Sequence, residues 1–203
     1  DLHSILRYFS PERPAALVGH SMGGNIASLY AGIVPERVAA LVNVEGFGLP
    51  DARASDAPDR YRRWFDAIDA EPGYSTYPDL GQLAARIRRR SPLMDERRAR
   101  FVAEAWAVDD AGTIRIKADS AHKLPNPVLY RRKEAEACWR RIVAPVLLVG
   151  GENSSFLKGL DPMADVLNAP TASVIVPGAD HMVHYETPGR LAREIERFLS
   201  KHL

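Results

Sequence analysis

The sequence predicts an α/β fold: a parallel sheet with helices on both faces, interrupted by a long helical insertion. Three observations carry this. Apolar runs of strand length alternate with helix-period stripes through the first 45 residues. The alternation stops near Leu49-Pro50 and returns after Pro145. Between those points every apolar stripe has helical spacing and no run reads as a buried strand. Alternating strands and helices are the signature of parallel sheets, whose crossovers cover both faces.

Leu2, Ile5, Leu6 and Phe9 fall at i, i+3, i+4 and i+7, one apolar helix face, and Pro11 and Pro14 close that segment. Residues 15–19 are a short strand, followed by the glycine pair Gly23-Gly24. Ile26, Leu29, Tyr30 and Ile33 restore helical spacing up to Pro35, and residues 38–44 form a buried strand. In the insertion, Tyr61, Trp64, Phe65 and Ile68 mark one helix. Leu83 and Ile87 mark a second, and Phe101, Val102, Ala105 and Trp106 a third. Residues 133–141 mark a fourth. Beyond it come a strand at 146–150, a short helix around Met163, Val166 and Leu167, and a strand at 172–176. Pro188 opens a last helix with Leu191, Ile195, Phe198 and Leu199 on its buried face. The expected organisation is core at 1–50, insertion at 51–142 and core again at 143–203.

The bulk properties exclude several classes. With 203 residues, 46% hydrophobic and 26% charged, the chain is globular rather than disordered or fibrous. Lys+Arg is 27 against 26 Asp+Glu, so no overall charge draws the chain to nucleic acid. Residues 51–142 hold 19 Lys/Arg and 15 Asp/Glu, net +4, which leaves −3 for the rest. The clusters Arg88-Arg89-Arg90 and Arg131-Arg132-Lys133 read as solvated helix faces. The longest apolar run, residues 142–149, is far too short for a bilayer and is broken by Pro145. The single cysteine, Cys138, forms no internal disulfide and points to a reducing, cytoplasmic setting. No His/Cys cluster has metal-ligand spacing and no dinucleotide fingerprint is present, so no metal or organic cofactor is expected.

The chemistry concentrates in Leu17-Val18-Gly19-His20-Ser21-Met22-Gly23-Gly24. Gly19-x-Ser21-x-Gly23 lies between an expected strand and an expected helix, where a serine on a sharp turn projects above the sheet. The expectation is that glycine is needed both two before and two after Ser21 to avoid clashes. The Met22 N–H at the helix start is placed to hold a developing oxyanion. A serine hydroxyl needs a base. Of six histidines, His3 and His202 lie near the termini, His122 sits in the insertion, and His20 should diverge from Ser21 at the turn. His181 follows the last strand, where a sheet delivers loops to its carboxyl edge, and is the expected base. His184 reads as structural.

On these residues, with Pro35-Glu36-Arg37-Val38, residues 145–152 and residues 177–199, the chain resembles the α/β-hydrolase superfamily. The resemblance implies a serine hydrolase whose insertion is a cap that roofs the site and shapes substrate choice. Serine first and histidine last is the family's order. Two departures stand out. The family usually places its acid in the loop after the penultimate strand, where this chain reads Gly150-Gly151-Glu152-Asn153-Ser154-Ser155 and the expected Asp falls on Ser154. In the serine-protease template, neutralising the acid costs about 10⁴ in kcat. Glu45, at the end of the strand at 38–44, is the best substitute, since some family members draw their acid from that strand end. Glu152 is second and Asp161 third, Asp180 is poorly placed to reach the His181 ring, and the absence of any carboxylate stays open. Secondly, the family builds the other half of its oxyanion hole on a His-Gly loop ahead of the first helix. The chain opens at Asp1 rather than Met and matches only the last four strands of the usual eight, so the native protein is expected to continue N-terminally.

The implied reaction is cleavage of a small ester or related acyl substrate through an acyl-enzyme on Ser21, with His181, Glu45 and the Met22 N–H as partners. Serine at position 21 excludes the Asp-nucleophile epoxide hydrolases and haloalkane dehalogenases of the fold. Acyltransferase, perhydrolase or C–C hydrolase chemistry, and a non-catalytic ligand-binding member, are the alternatives. Trp64, Phe65, Phe101 and Trp106 either line an acyl pocket or form the cap's own core. Oligomeric state is not legible.

Overall fold

The computed structural model describes residues 1–70 and 73–203. They form two compact units, Asp1–Pro50 with Arg131–Leu203, and Asp51–Tyr130.

In the first unit, α1 (Leu2–Phe9) precedes β1 (Ala15–His20), α2 (Met22–Ile33) and β2 (Val38–Val44). The second unit holds α3 (Ala57–Asp69), α4 (Leu80–Arg90), α5 (Glu96–Trp106), β3 (Ala107–Asp110) and β4 (Thr113–Ile116). The chain then returns to the first unit with α6 (Arg132–Trp139), β5 (Val146–Gly151), α7 (Leu160–Ala164), β6 (Thr171–Val176), α8 (Val183–Glu186) and α9 (Pro188–His202).

The sheet is parallel with order β1-β2-β5-β6. Its registers set Leu17 beside Leu41, Val42 beside Leu147 and Leu147 beside Ala172. The two central strands are buried almost throughout, which is why they read as unbroken apolar runs. On one face Ala40, Val42, Val44, Leu147 and Val149 pack with Val183, Leu191 and Phe198 from α8 and α9. α9 opens on Pro188, whose missing N–H costs nothing in a first turn. Arg37 ties the end of α1 to β2, donating to the carbonyls of Pro11 at 2.7 Å and Leu6 at 3.1 Å.

The boundary of the insertion differs from expectation. The helix expected at 133–141 is α6, and it packs on α2 in the sheet unit rather than in the insertion. The close approach explains this: a Cβ on Gly32 of α2 would lie 1.9 Å from the carbonyl oxygen of Cys138. Trp139 is fully buried there. A helical stripe states that a face is buried but not against which unit.

In the second unit the helices α4 and α5 pack together around Leu83, Ile87, Ala99, Val102 and Ala103. Each starts on an aspartate cap, Asp79 accepting from the Gln82 N–H at 2.8 Å and Asp95 from the Arg98 N–H at 2.7 Å. Of the four aromatics read as either pocket lining or cap core, Trp64 is half-buried. Phe65, Phe101 and Trp106 are exposed, and α3 buries no residue. The sequence also missed the β3–β4 hairpin. Its two-residue turn, Ala111-Gly112, has positive φ at both positions, the geometry that matches strand twist.

Candidate active site

Ser21 sits between β1 and α2 with φ 52° and ψ −115°, a strained backbone for a residue with a Cβ. Its N–H donates to the Val44 carbonyl at 2.8 Å, which ties the turn to the end of β2. Gly19 is required here: a Cβ would lie 2.4 Å from the Gly23 carbonyl oxygen. The matching expectation for Gly23 does not hold, since a Cβ there meets nothing within 4 Å. The tight position is Gly24, whose Cβ would fall 2.4 Å from Asn43 Oδ1. Met22 opens α2, so its N–H belongs to the first turn, whose donors have no intrahelical carbonyl.

Glu45 follows β2 in the left-handed region, at φ 60°. Its side chain is buried, yet every contact suits a carboxylate. Oε1 accepts from the Gly151 N–H at 2.7 Å, and Oε2 accepts from the Ser154 hydroxyl at 2.5 Å and from the His181 ring at 3.1 Å. Because a carboxylate only accepts, the proton on His181 resides on Nδ1. Nε2 is then free to accept from the Ser21 hydroxyl, 3.0 Å away.

The structure therefore brings Ser21, His181 and Glu45 into one hydrogen-bonded line, with Ser154 behind the carboxylate. The other acid candidates lie elsewhere. Glu152 Oε2 accepts from the Gly178 N–H at 2.9 Å, bracing the loop that carries His181. Asp180 Oδ1 accepts from the His181 backbone N–H at 2.7 Å. Asp161 is exposed on α7.

Three supporting residues escaped the sequence reading. Asn43 is fully buried in β2 and binds both backbone groups of Gly46, the residue after Glu45. Its Oδ1 accepts from the Gly46 N–H at 2.9 Å, and its Nδ2 donates to the Gly46 carbonyl and the Ser28 hydroxyl, both at 2.8 Å. An amide inside an otherwise apolar strand was the available signal. Phe156 packs against the His181 ring, centroids 4.6 Å apart. His20, set aside in the sequence, supports the site: its Nε2 donates to the His181 carbonyl at 2.8 Å. Its ring lies 4.3 Å from that of His184. Burial holds the His20 imidazole below its ordinary pKa, and burial together with the neighbouring imidazoles of His20 and His181 lowers His184 to about 4. Both are therefore neutral at pH 7. Burial raises the carboxyl of Glu186, whose Oε2 accepts from the Asp180 N–H at 2.7 Å.

Among the described residues no group of three or more His, Cys, Asp or Glu could hold a metal ion. No helix among them is long and apolar enough to cross a membrane.

A model of the alpha/beta hydrolase family matches residues 1–194. The chain belongs to this family. Within it, the chain is 27% identical over 192 residues to the esterase YbfF of Escherichia coli, an alignment covering 92% of this chain and 67% of that one. It is 26% identical over 188 residues to the 2-(acetamidomethylene)succinate hydrolase of Mesorhizobium japonicum, covering 91% and 64%. The chain thus spans about two thirds of the length of the curated relatives it matches. The thioesterase domain from the curacin biosynthetic pathway superposes with a TM-score of 0.79 at 22% identity, covering 96% of this chain and 70% of that one. That likeness speaks for the fold.

Proposed function

We propose that this family member is a serine-dependent hydrolase of a small ester or related acyl substrate. The observation that carries the reading is the line Ser21 Oγ, His181 Nε2, His181 Nδ1, Glu45 Oε2, with steps of 3.0 and 3.1 Å across residues from three separate strand ends. Ser21 Oγ attacks the acyl carbon as its proton passes to His181 Nε2. The Met22 N–H donates to the tetrahedral oxyanion. The imidazolium is held by Glu45 and returns the proton to the leaving oxygen, and water activated by His181 then releases the acid and restores Ser21. The names of the relatives, esterase and hydrolase, agree with this reading. Its expected setting is cytoplasmic, with a small-molecule substrate as partner.

Serine at position 154, where the family usually has its acid, would favour a non-catalytic member. The contact of its hydroxyl with the Glu45 carboxylate argues the other way. The test is labelling by a fluorophosphonate, which phosphonylates an activated serine with loss of fluoride. The protein should label and Ser21→Ala should not. Folded protein that does not label, or a Ser21→Ala variant that labels equally, overturns the proposal.

A further inference from the structure

A cavity of about 480 Å³, within the range of small-molecule sites, reaches the His181 ring through Phe156. It runs between the segment after β2 and the segment after β5. Its walls include Phe47, Leu49, Phe156 and Pro162, with Arg132 and Lys158 as the cations. Phe156 belongs to both places: it lines the cavity and covers the His181 ring. Phe156 is therefore the link between a ligand arm seated in the cavity and the His181 ring.

The two cations are not equivalent. Arg132 is committed to the fold. Its Nε meets Glu136 at 2.9 Å, its Nη1 donates to the Phe47 carbonyl at 2.9 Å, and its guanidinium lies over Trp139 at 4.6 Å. Glu136, which also lines the cavity, is shared with Arg140 at 3.6 Å. Its charge is thus already opposed by two arginines. Lys158, on the turn Leu157–Gly159, is exposed and forms no ion pair among the described residues. The cavity presents an apolar wall and one uncompensated ammonium.

We infer that this cavity is the subsite for an apolar substrate arm that ends in a carboxylate, with Phe156 as its wall and Lys158 as the cation that selects for the charge. The assignment rests on the hydrolase reading for the place of the scissile bond, while occupancy of the cavity does not depend on turnover. The natural substrate class is then a half-ester or half-thioester of a medium-chain dicarboxylic acid, or an ester whose alcohol carries the acid group.

Ligand-observed NMR titration of the Ser21→Ala protein separates the two claims. Hexanoate should bind about tenfold tighter than butanoate, since each buried methylene is worth roughly 0.8 kcal/mol. It should bind about threefold tighter than hexanamide, the increment of an exposed ion pair. Lys158→Ala should abolish the preference for the acid and Lys158→Glu should reverse it, while Phe156→Ala should weaken acid and amide alike. Because Phe156 and Lys158 are both exposed, these variants should fold as the parent does. In turnover, an acyl-side arm predicts that the mono-p-nitrophenyl ester of adipic acid exceeds p-nitrophenyl hexanoate in kcat/KM, and an alcohol-side arm predicts that the acetate ester of 6-hydroxyhexanoic acid exceeds hexyl acetate. Equal binding of hexanoate and hexanamide, or a preference that survives Lys158→Ala, overturns the subsite. Failure of fluorophosphonate labelling with the binding pattern intact overturns only the hydrolase reading.

Discussion

At Glu45 a single carboxylate satisfies three donors, and each donor comes from a different demand. The Gly151 N–H holds it at the end of β5, the Ser154 hydroxyl holds it from the following loop, and in the proposed mechanism His181 is the group it serves. Glu45→Gln should keep the bond from Gly151 but present an amide N–H toward the His181 N–H, forcing the imidazole into the wrong tautomer. A loss of about 10³–10⁴ in kcat is expected, by analogy with the neutralised acid of the serine proteases. Ser154→Ala removes only one of three donors and should cost about tenfold or less, the net scale of one ordinary hydrogen bond. Ser154 stands one hydrogen bond behind the carboxylate, so an aspartate there can approach the same face of His181. Glu45→Gln combined with Ser154→Asp should therefore regain at least about tenfold in kcat over Glu45→Gln alone, a modest part of what the neutralised acid costs. A double variant no faster than the single would show that the acid cannot be moved to the loop after β5. Steady-state kinetics on one ester measures all three.

Among the elements, β2 and β5 were readable because burial on both faces leaves no polar alternation to misread. The turn at Ser21 was readable because its glycine, serine and helix start are local. The hairpin β3–β4 was not, because four-residue strands that are half exposed carry neither a long run nor a clear period. The identity of the acid could be narrowed but not decided, since Glu45 meets its partners across separations of 106 to 136 residues. The loop carrying His181 has its own pH signature. His184 on α8 has its folded pKa pushed to about 4 from an ordinary 6.5, and His20 is displaced the same way. Between those limits the unfolded chain binds more protons, so stability is present above pH 6.5 and is lost as pH falls toward 4. Glu186 acts with the opposite sign: its raised folded pKa adds stability below its ordinary 4.5 that is lost as pH rises through the raised value, so it opposes the histidines just above pH 4.5. The Tm should fall between about pH 7 and about pH 5, and less so in His184→Gln. Equal slopes would remove His184 from the account. In the preceding turn, Gly19→Ala should destabilise by about 1–3 kcal/mol through overpacking against the start of α2, whereas Gly23→Ala should leave Tm nearly unchanged.

Across the four-stranded sheet of these 203 residues, β1 is an outer strand although it carries the turn for Ser21. The strand is six residues long, without proline, lysine or carboxylate, and among the described residues its outer backbone groups have no neighbour in the sheet. Nearby elements of the same unit leave apolar side chains in solvent: Val18 on β1 itself, Ile5 and Phe9 on α1, Ile33 on α2. Proteins normally guard such an edge with charge, proline or a covering element, because an unpaired apolar strand is a template for another chain. Edge pairing between copies offers backbone hydrogen bonds and apolar burial together, so this 203-residue chain should self-associate as its concentration rises. Val18→Lys places a charge on the half-exposed position of the strand without touching Ser21, Glu45 or His181, and it should shift the population to monomer. Sedimentation velocity across a wide concentration range reads both effects. Fluorophosphonate labelling of the parent and of the Val18→Lys chain, compared at low concentration, checks that the turn at Ser21 is intact. A parent that stays monomeric throughout would mean that the β1 edge is already too short or too twisted to recruit a second strand.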